Sequence, residues 1–186
     1  MPSSQHYQIS KIIDLIIKLN PKSILDIGVG FGKYGVLLRE YLELWNNKHT
    51  YNEFSVRIDG IEAFADYITP LHKFIYNKIY IGDAIEVVNS IDSKYDLIIL
   101  IDVLEHIDKP AGKLLLMKLI EKSNGILIST PTVVTTGSQS AVFNNIYEIH
   151  KVGWSKKELA SFGYSIFRYD IISNIVYIGK KNMVKA

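Results

Sequence analysis

Apolar residues recur at helical spacing near the start of the chain, at Ile9, Ile12, Ile13, Ile16, Ile17 and Leu19. With Ser3 and Ser4 as caps and Asn20-Pro21 as a stop, this spacing predicts an amphipathic helix over 8–19. Extended β-branched runs then alternate with helical patterns. They predict strands at 23–27, 55–61, 78–81, 95–101 and 125–129, and helices at 33–45, 65–74, 84–90 and 110–122. Strands separated in this way build a parallel sheet with both faces covered, so the fold class is α/β. Residues 131–153 are rich in Thr, Ser, Asn and Gly and have no sustained period, a length expected of a lid or substrate wall. A helix at 155–161 leads through Gly163 into strands 164–170 and 173–179, whose tight connection predicts antiparallel pairing.

A chain of 186 residues, 48% hydrophobic, suits one well-buried domain over 1–186 and is short for two. Its 21 basic and 19 acidic residues are dispersed, with a formal charge of +2 and no block that would mark a nucleic-acid tail. The absence of cysteine excludes disulfides, thiolate metal sites and a thiol nucleophile. The opening MPSSQHYQIS lacks a basic then apolar leader, and no apolar run reaches the roughly eighteen residues of a membrane span. A soluble cytoplasmic protein without membrane association is therefore the expectation.

Chemistry concentrates first at ILDIGVGFGKYG, residues 24–35, where a strand runs into a turn carrying Gly28, Gly30 and Gly32 and then into a helix. Such a turn lets backbone approach a ligand closely. A dinucleotide turn wants a third glycine where this chain has Lys33. Asp26, at the strand end, would repel a pyrophosphate; it suits a cationic group such as an amino-acid ammonium, or else caps turn amides.

DIGVGFG resembles the first motif of class I S-adenosylmethionine-dependent methyltransferases, and later segments match in order. The resemblance spans nearly the whole chain and is nearest to small-molecule and glycan O-methyltransferases. It implies a Rossmann-like, doubly wound, mostly parallel seven-stranded sheet with the last strand antiparallel and helices on both faces. It implies S-adenosylmethionine as cofactor, touched by Asp26, Gly28, Gly30, Gly32, Glu62, Asp83, Ala84 and Asp102. In that reading Glu62, ending IDGIE, grips the ribose hydroxyls. Asp83 and Ala84, in GDA, meet the adenine, although Asp83 also reads as a helix N-cap. Asp102 closes the fourth strand beside the methyl donor.

Methyl transfer mainly needs alignment, exclusion of water and, for a hydroxyl acceptor, removal of a proton. Asp102, Glu105 and His106 have the spacing of one helical turn, which suits His106 as a base oriented by Glu105. His150, in YEIHKVGW, is a further candidate base. The set Asp102, Glu105, His106 and His150 also resembles the metal-binding arrangement of small-RNA 2′-O-methyltransferases and ubiquinone-pathway O-methyltransferases. That resemblance implies a divalent metal among Mg, Mn, Fe, Co and Zn; histidines that merely cap or pack are the alternative. Tyr147 and Trp154 are candidate walls for the acceptor, Trp154 equally a core anchor, and Lys156 and Lys157 a solvated face. The expected acceptor is a hydroxyl of a small molecule or glycan, with nucleic acid disfavoured. A NAD-dependent oxidoreductase and a non-catalytic methyltransferase-like subunit are the rival readings.

Overall fold

The computed structural model describes residues 4–45, 53–134, 145–169 and 172–179. Strands β1 (Ser23–Ile27), β2 (Arg57–Glu62), β3 (Lys78–Ile81), β4 (Leu97–Ile101), β5 (Gly125–Pro131), β6 (Ser165–Tyr169) and β7 (Ser173–Gly179) form one sheet in the order β3-β2-β1-β4-β5-β7-β6. β1 to β5 pair in parallel, and β7 runs antiparallel to both β5 and β6. This is the expected α/β architecture, with the crossovers that parallel neighbours require.

Alternation along the strands separates two cores. Ile24, Ile58, Leu97, Ile99 and Leu127 face one side, against α1 (Ile9–Leu19), α2 (Lys33–Arg39) and α3 (Pro70–Ile75). Leu25, Ile61, Ile98, Leu100 and Ile126 face the other, against α4 (Ala84–Ser90), α5 (Lys109–Lys122) and α6 (Lys156–Ala160). Burial on both faces explains why the central strands read as unbroken apolar runs rather than as alternating ones.

Several predicted boundaries move for identifiable reasons. The helix expected over 33–45 is α-helical only to Arg39 and continues as a π-helix over Glu40–Leu44. The wider turn carries Glu43 inward, where Arg39 donates to it at 2.7 Å and the amide of Val56 at 2.9 Å. The amide of Ser55 also donates to Glu43, so Ser55 and Val56 leave the strand ladder and β2 starts at Arg57. The helix expected over 65–74 is split into a 3-10 turn at Ala65–Tyr67 and α3, because Pro70 disfavours a helical Thr69. Ser4 does not cap α1. Its hydroxyl reaches Tyr34, Gln8 occupies the N-cap position, and Ser3 lies outside the described residues. Tyr95, expected within β4, makes only an isolated bridge to Ser123. No helix among the described residues is long and apolar enough to cross a membrane.

Candidate active site

The carboxyl ends of β1, β2, β4 and β5 open onto a cavity of about 720 Å³, a size suited to small molecules. Its floor is the glycine turn between β1 and α2. Gly28 has φ +77°, and a Cβ there would stand 2.7 Å from Val103, so both conformation and space require glycine. Gly30 has φ +53° and donates its N–H to Glu62 Oε2 at 2.9 Å. Glu62 Oε1 accepts from the amide of Phe64 at 3.0 Å, so this buried carboxylate ties the turn after β1 to the turn after β2. Burial raises the Glu62 pKa, and these backbone donors pull it back.

His72, which the sequence reading passed over, holds the turn from beneath. Its Nδ1 accepts the Thr69 amide at 3.1 Å, so Nε2 carries the proton it shares with the Gly30 carbonyl at 2.8 Å. A Cβ on Gly32 would lie 3.4 Å from the same ring. Gly32 therefore shapes the turn as the N-cap position of α2 and does not line the cavity.

Asp26 also stands behind the turn and not on the cavity wall: it is buried and accepts the Tyr76 hydroxyl at 2.6 Å. This corrects the expectation that it faces a ligand ammonium; of the two alternatives, it is nearer to a structural support. Burial pushes its pKa up to about 7; the Tyr76 hydrogen bond opposes the rise and the charge of Glu62 adds to it. A carboxyl raised in the folded state adds stability that is full below its unfolded pKa and is lost as pH rises through the folded one. For Asp26 that window runs from about 4 to about 7. Asp26→Asn keeps an acceptor for Tyr76 without the charge. We expect it to be more stable than the parent at pH 8, by up to about 4 kcal/mol, and so to melt higher there, with the gain gone near pH 4. Melting curves at the two pH values check this.

Asp83 and Ala84 lie at the adjacent edge of the cavity, and the Asp83 side chain accepts from the Ile85 amide at 2.8 Å as the N-cap of α4. Asp102, at the end of β4, lines the cavity in a left-handed conformation with φ +55°. Gln8 Nε2 donates to its Oδ2 at 2.7 Å and the Ser129 hydroxyl lies 3.3 Å from Oδ1. Burial raises its pKa to about 6, against the pull of these hydrogen bonds and of Lys33.

Glu105 and His106 sit on a 3-10 turn, Leu104–His106, and not on a regular helix as their spacing suggested. Glu105 is buried with Oε2 3.3 Å from the Thr130 hydroxyl and Oε1 without a hydrogen-bond partner. Burial holds its carboxyl well above the ordinary range. His106 Nδ1 donates to the Ile149 carbonyl at 3.2 Å, which leaves the lone pair on Nε2. The segment after residue 149 is fastened here, because the amides of Lys151 and Val152 donate to the Glu105 carbonyl at 2.8 and 3.2 Å. His150 is thereby brought to His106, with ring centroids 4.9 Å apart. Among the described residues, Glu105, His106 and His150 offer ligand atoms within 4.8 Å of one another. Asp102 falls outside this group, a correction to the four-residue metal set read from the sequence.

The wall formed by the 131–153 segment includes Thr132, Val133, Tyr147 and Glu148; residues 135–144 lie outside the described ones. Glu148, absent from the sequence reading, accepts the Tyr67 hydroxyl at 3.0 Å, and Asn145 donates to the same oxygen at 3.1 Å. Tyr147 lines the cavity, whereas Trp154 does not. Trp154 is a core anchor: its indole donates to the Leu104 carbonyl at 3.1 Å, and its ring leaves no room for a Cβ on Gly112.

No family model and no curated protein matches the chain. Solved structures do share its architecture. An O-methyltransferase family protein from Burkholderia thailandensis is 14% identical, with a TM-score of 0.64 over 94% of this chain and 56% of that one. The N-terminal domain of EvdMO1, solved in the presence of SAH and D-fucose, is 14% identical, with a TM-score of 0.60 over 96% and 85%. A SAM-dependent methyltransferase from Archaeoglobus fulgidus is 22% identical, with a TM-score of 0.58 over 87% and 66%. The chain thus spans little more than half the length of the Burkholderia protein and has the Rossmann-like fold of class I methyltransferases.

Proposed function

We propose that this chain is a single-domain S-adenosylmethionine-dependent methyltransferase acting on a hydroxyl of a small molecule or glycan. The observation that carries the reading is the Gly30–Glu62 hydrogen bond. It joins a turn that only glycine can form to a carboxylate on the same cavity wall. The residues fit the donor: a glycine floor whose backbone at Gly28 and Gly30 lines the cavity, Glu62 for a vicinal diol, Asp83 and Ala84 at the base end, and Asp102 for an ammonium. When bound, the donor supplies a methyl group on a positively charged sulfur, whose C–S bond breaks as a C–O bond forms.

The chain's own residues align the acceptor and take its proton. His106 faces the cavity with an unprotonated Nε2, and burial lowers its pKa below the ordinary value, so the basic form prevails at neutral pH. Tyr147, Glu148 and His150 line the cavity beside His106, where an acceptor would lie. The EvdMO1 domain, solved with a sugar, favours a carbohydrate or similar polyol as acceptor.

A second reading is favoured by the unpartnered, buried Glu105 Oε1 beside His106 and His150. One carboxylate and two imidazoles fit a divalent cation, which when bound supplies a Lewis acid for the acceptor hydroxyl. The two readings separate on Glu105→Gln. It mimics the protonated carboxyl and leaves turnover within a few-fold if His106 is the base, but removes a charged ligand and metal-dependent activity if a cation is held.

Calorimetry tests the donor. S-adenosylhomocysteine is expected to bind and NAD is not; heat with NAD alone would favour the oxidoreductase. Binding of S-adenosylhomocysteine without methyl transfer to any of a panel of polyols and phenols would favour the non-catalytic subunit.

A further inference from the structure

The segment before α1 reaches the cavity that the sheet builds. Ser4 and Gln5 line it, and Lys33 Nζ donates to the Ser4 carbonyl at 2.5 Å. Gln8 follows, fully buried at the N-cap position of α1, yet its side chain does not cap that helix. It crosses instead to the end of the sheet, donating Nε2 to Asp102 Oδ2 at 2.7 Å and accepting the Ser129 hydroxyl on Oε1. The amide is used at both ends, in the one orientation that gives each partner what it needs.

Asp102 needs such support. Its φ of +55° is uncommon for a side-chain-bearing residue and persists only where the surroundings hold it. Its backbone N–H donates to the Ser129 carbonyl at 2.9 Å, and Gln8, itself held by the Ser129 hydroxyl, then fixes the carboxylate. Gln8 does not itself line the cavity.

We propose that Gln8 is a positioning residue of the donor site, holding Asp102 where it receives the ammonium of the donor's amino-acid portion. The inference rests on the donor reading above, and it makes the segment before α1 part of the site rather than a covering of the fold. A Gln8 that only anchors α1 would affect all ligands alike, and a positioning Gln8 affects those that carry the ammonium.

Two compounds separate the cases: S-adenosylhomocysteine, and 5′-methylthioadenosine, which keeps the nucleoside and sulfur but has no amino-acid portion. In calorimetry on the full chain, Gln8→Met is expected to weaken S-adenosylhomocysteine on the order of 10-fold, as loss of a hydrogen bond to a charged group does. Binding of 5′-methylthioadenosine stays within about 2-fold, which also reports that the variant is folded. Gln8→Asn, whose amide is one methylene too short to span to both partners, is expected to do the same and serves if the methionine variant fails to fold. In an Asp102→Asn background the further change at Gln8 has no additional effect, because the charge it positions is gone. Equal weakening of both compounds, or of neither, overturns the role of Gln8 and leaves the donor reading standing. A parent protein that binds neither compound overturns both.

Discussion

Replacing Glu62 with alanine is expected to weaken S-adenosylhomocysteine by about 100-fold or more. The carboxylate accepts two backbone amides, Gly30 N at 2.9 Å and Phe64 N at 3.0 Å, and these anchor the turns after β1 and β2. Removing it leaves both donors without a partner in a buried setting, at about 1–3 kcal/mol each, and takes away the acceptor for a ligand diol as well. Glu62→Gln keeps one acceptor oxygen for one amide and is expected to fall between, at about 10-fold. Because Glu62 serves the nucleoside side, 5′-methylthioadenosine should be lost along with S-adenosylhomocysteine, the opposite of the selectivity expected at Gln8. Calorimetry with both compounds and a melting curve for each variant check this. Unchanged affinity in Glu62→Ala would remove the diol site from the mechanism.

His106→Asn is expected to lower turnover by about 100-fold or more, within the range for loss of a general base, while S-adenosylhomocysteine binds nearly as before. His106 owes its lone pair on Nε2 to the Ile149 carbonyl, and it owes its lowered pKa first to burial, with His150 contributing. Only the unprotonated ring accepts a proton. Activity should therefore hold through neutral pH and fall only as the pH drops below the ordinary histidine value of about 6.5. A pH–rate profile whose acid limb lies above that value would contradict the role. The profile of His150→Asn tests the same coupling, since loss of a neighbouring imidazole raises the His106 pKa and moves the limb upward.

The long-range determinants of this site were invisible to local pattern, and the reasons are specific. His72 reads as one polar position in a short helix, and only the fold sets it under Gly30, 42 positions earlier. Gln8 and Ser129 stand 121 positions apart, and neither belongs to a motif. Glu148 lies in a segment without period, yet its partner Tyr67 comes from the 3-10 turn after β2, 81 positions earlier. By contrast, Gly28 and Gly30 were legible because both take a positive φ, and at Gly28 the neighbouring Val103 also leaves no room for a Cβ. Asp26 was legible as important and misread in direction. A carboxylate at a strand end has two directions open to it, toward a ligand or toward the core, and the Tyr76 hydroxyl drew it inward.

The sequence by itself determined the order of the elements, the two-sided burial of the sheet and the location of the glycine turn. Each follows from spacing along the chain, where β-branched runs, helical periodicity and glycine act locally. Tertiary structure alone decided which carboxylates face the cavity, that Glu105, His106 and His150 meet without Asp102, and that Gln8, before α1, reaches Asp102 at the end of β4. Those outcomes depend on side chains from distant segments competing for hydrogen bonds in a space that water has left, and spacing along a chain carries no record of that competition.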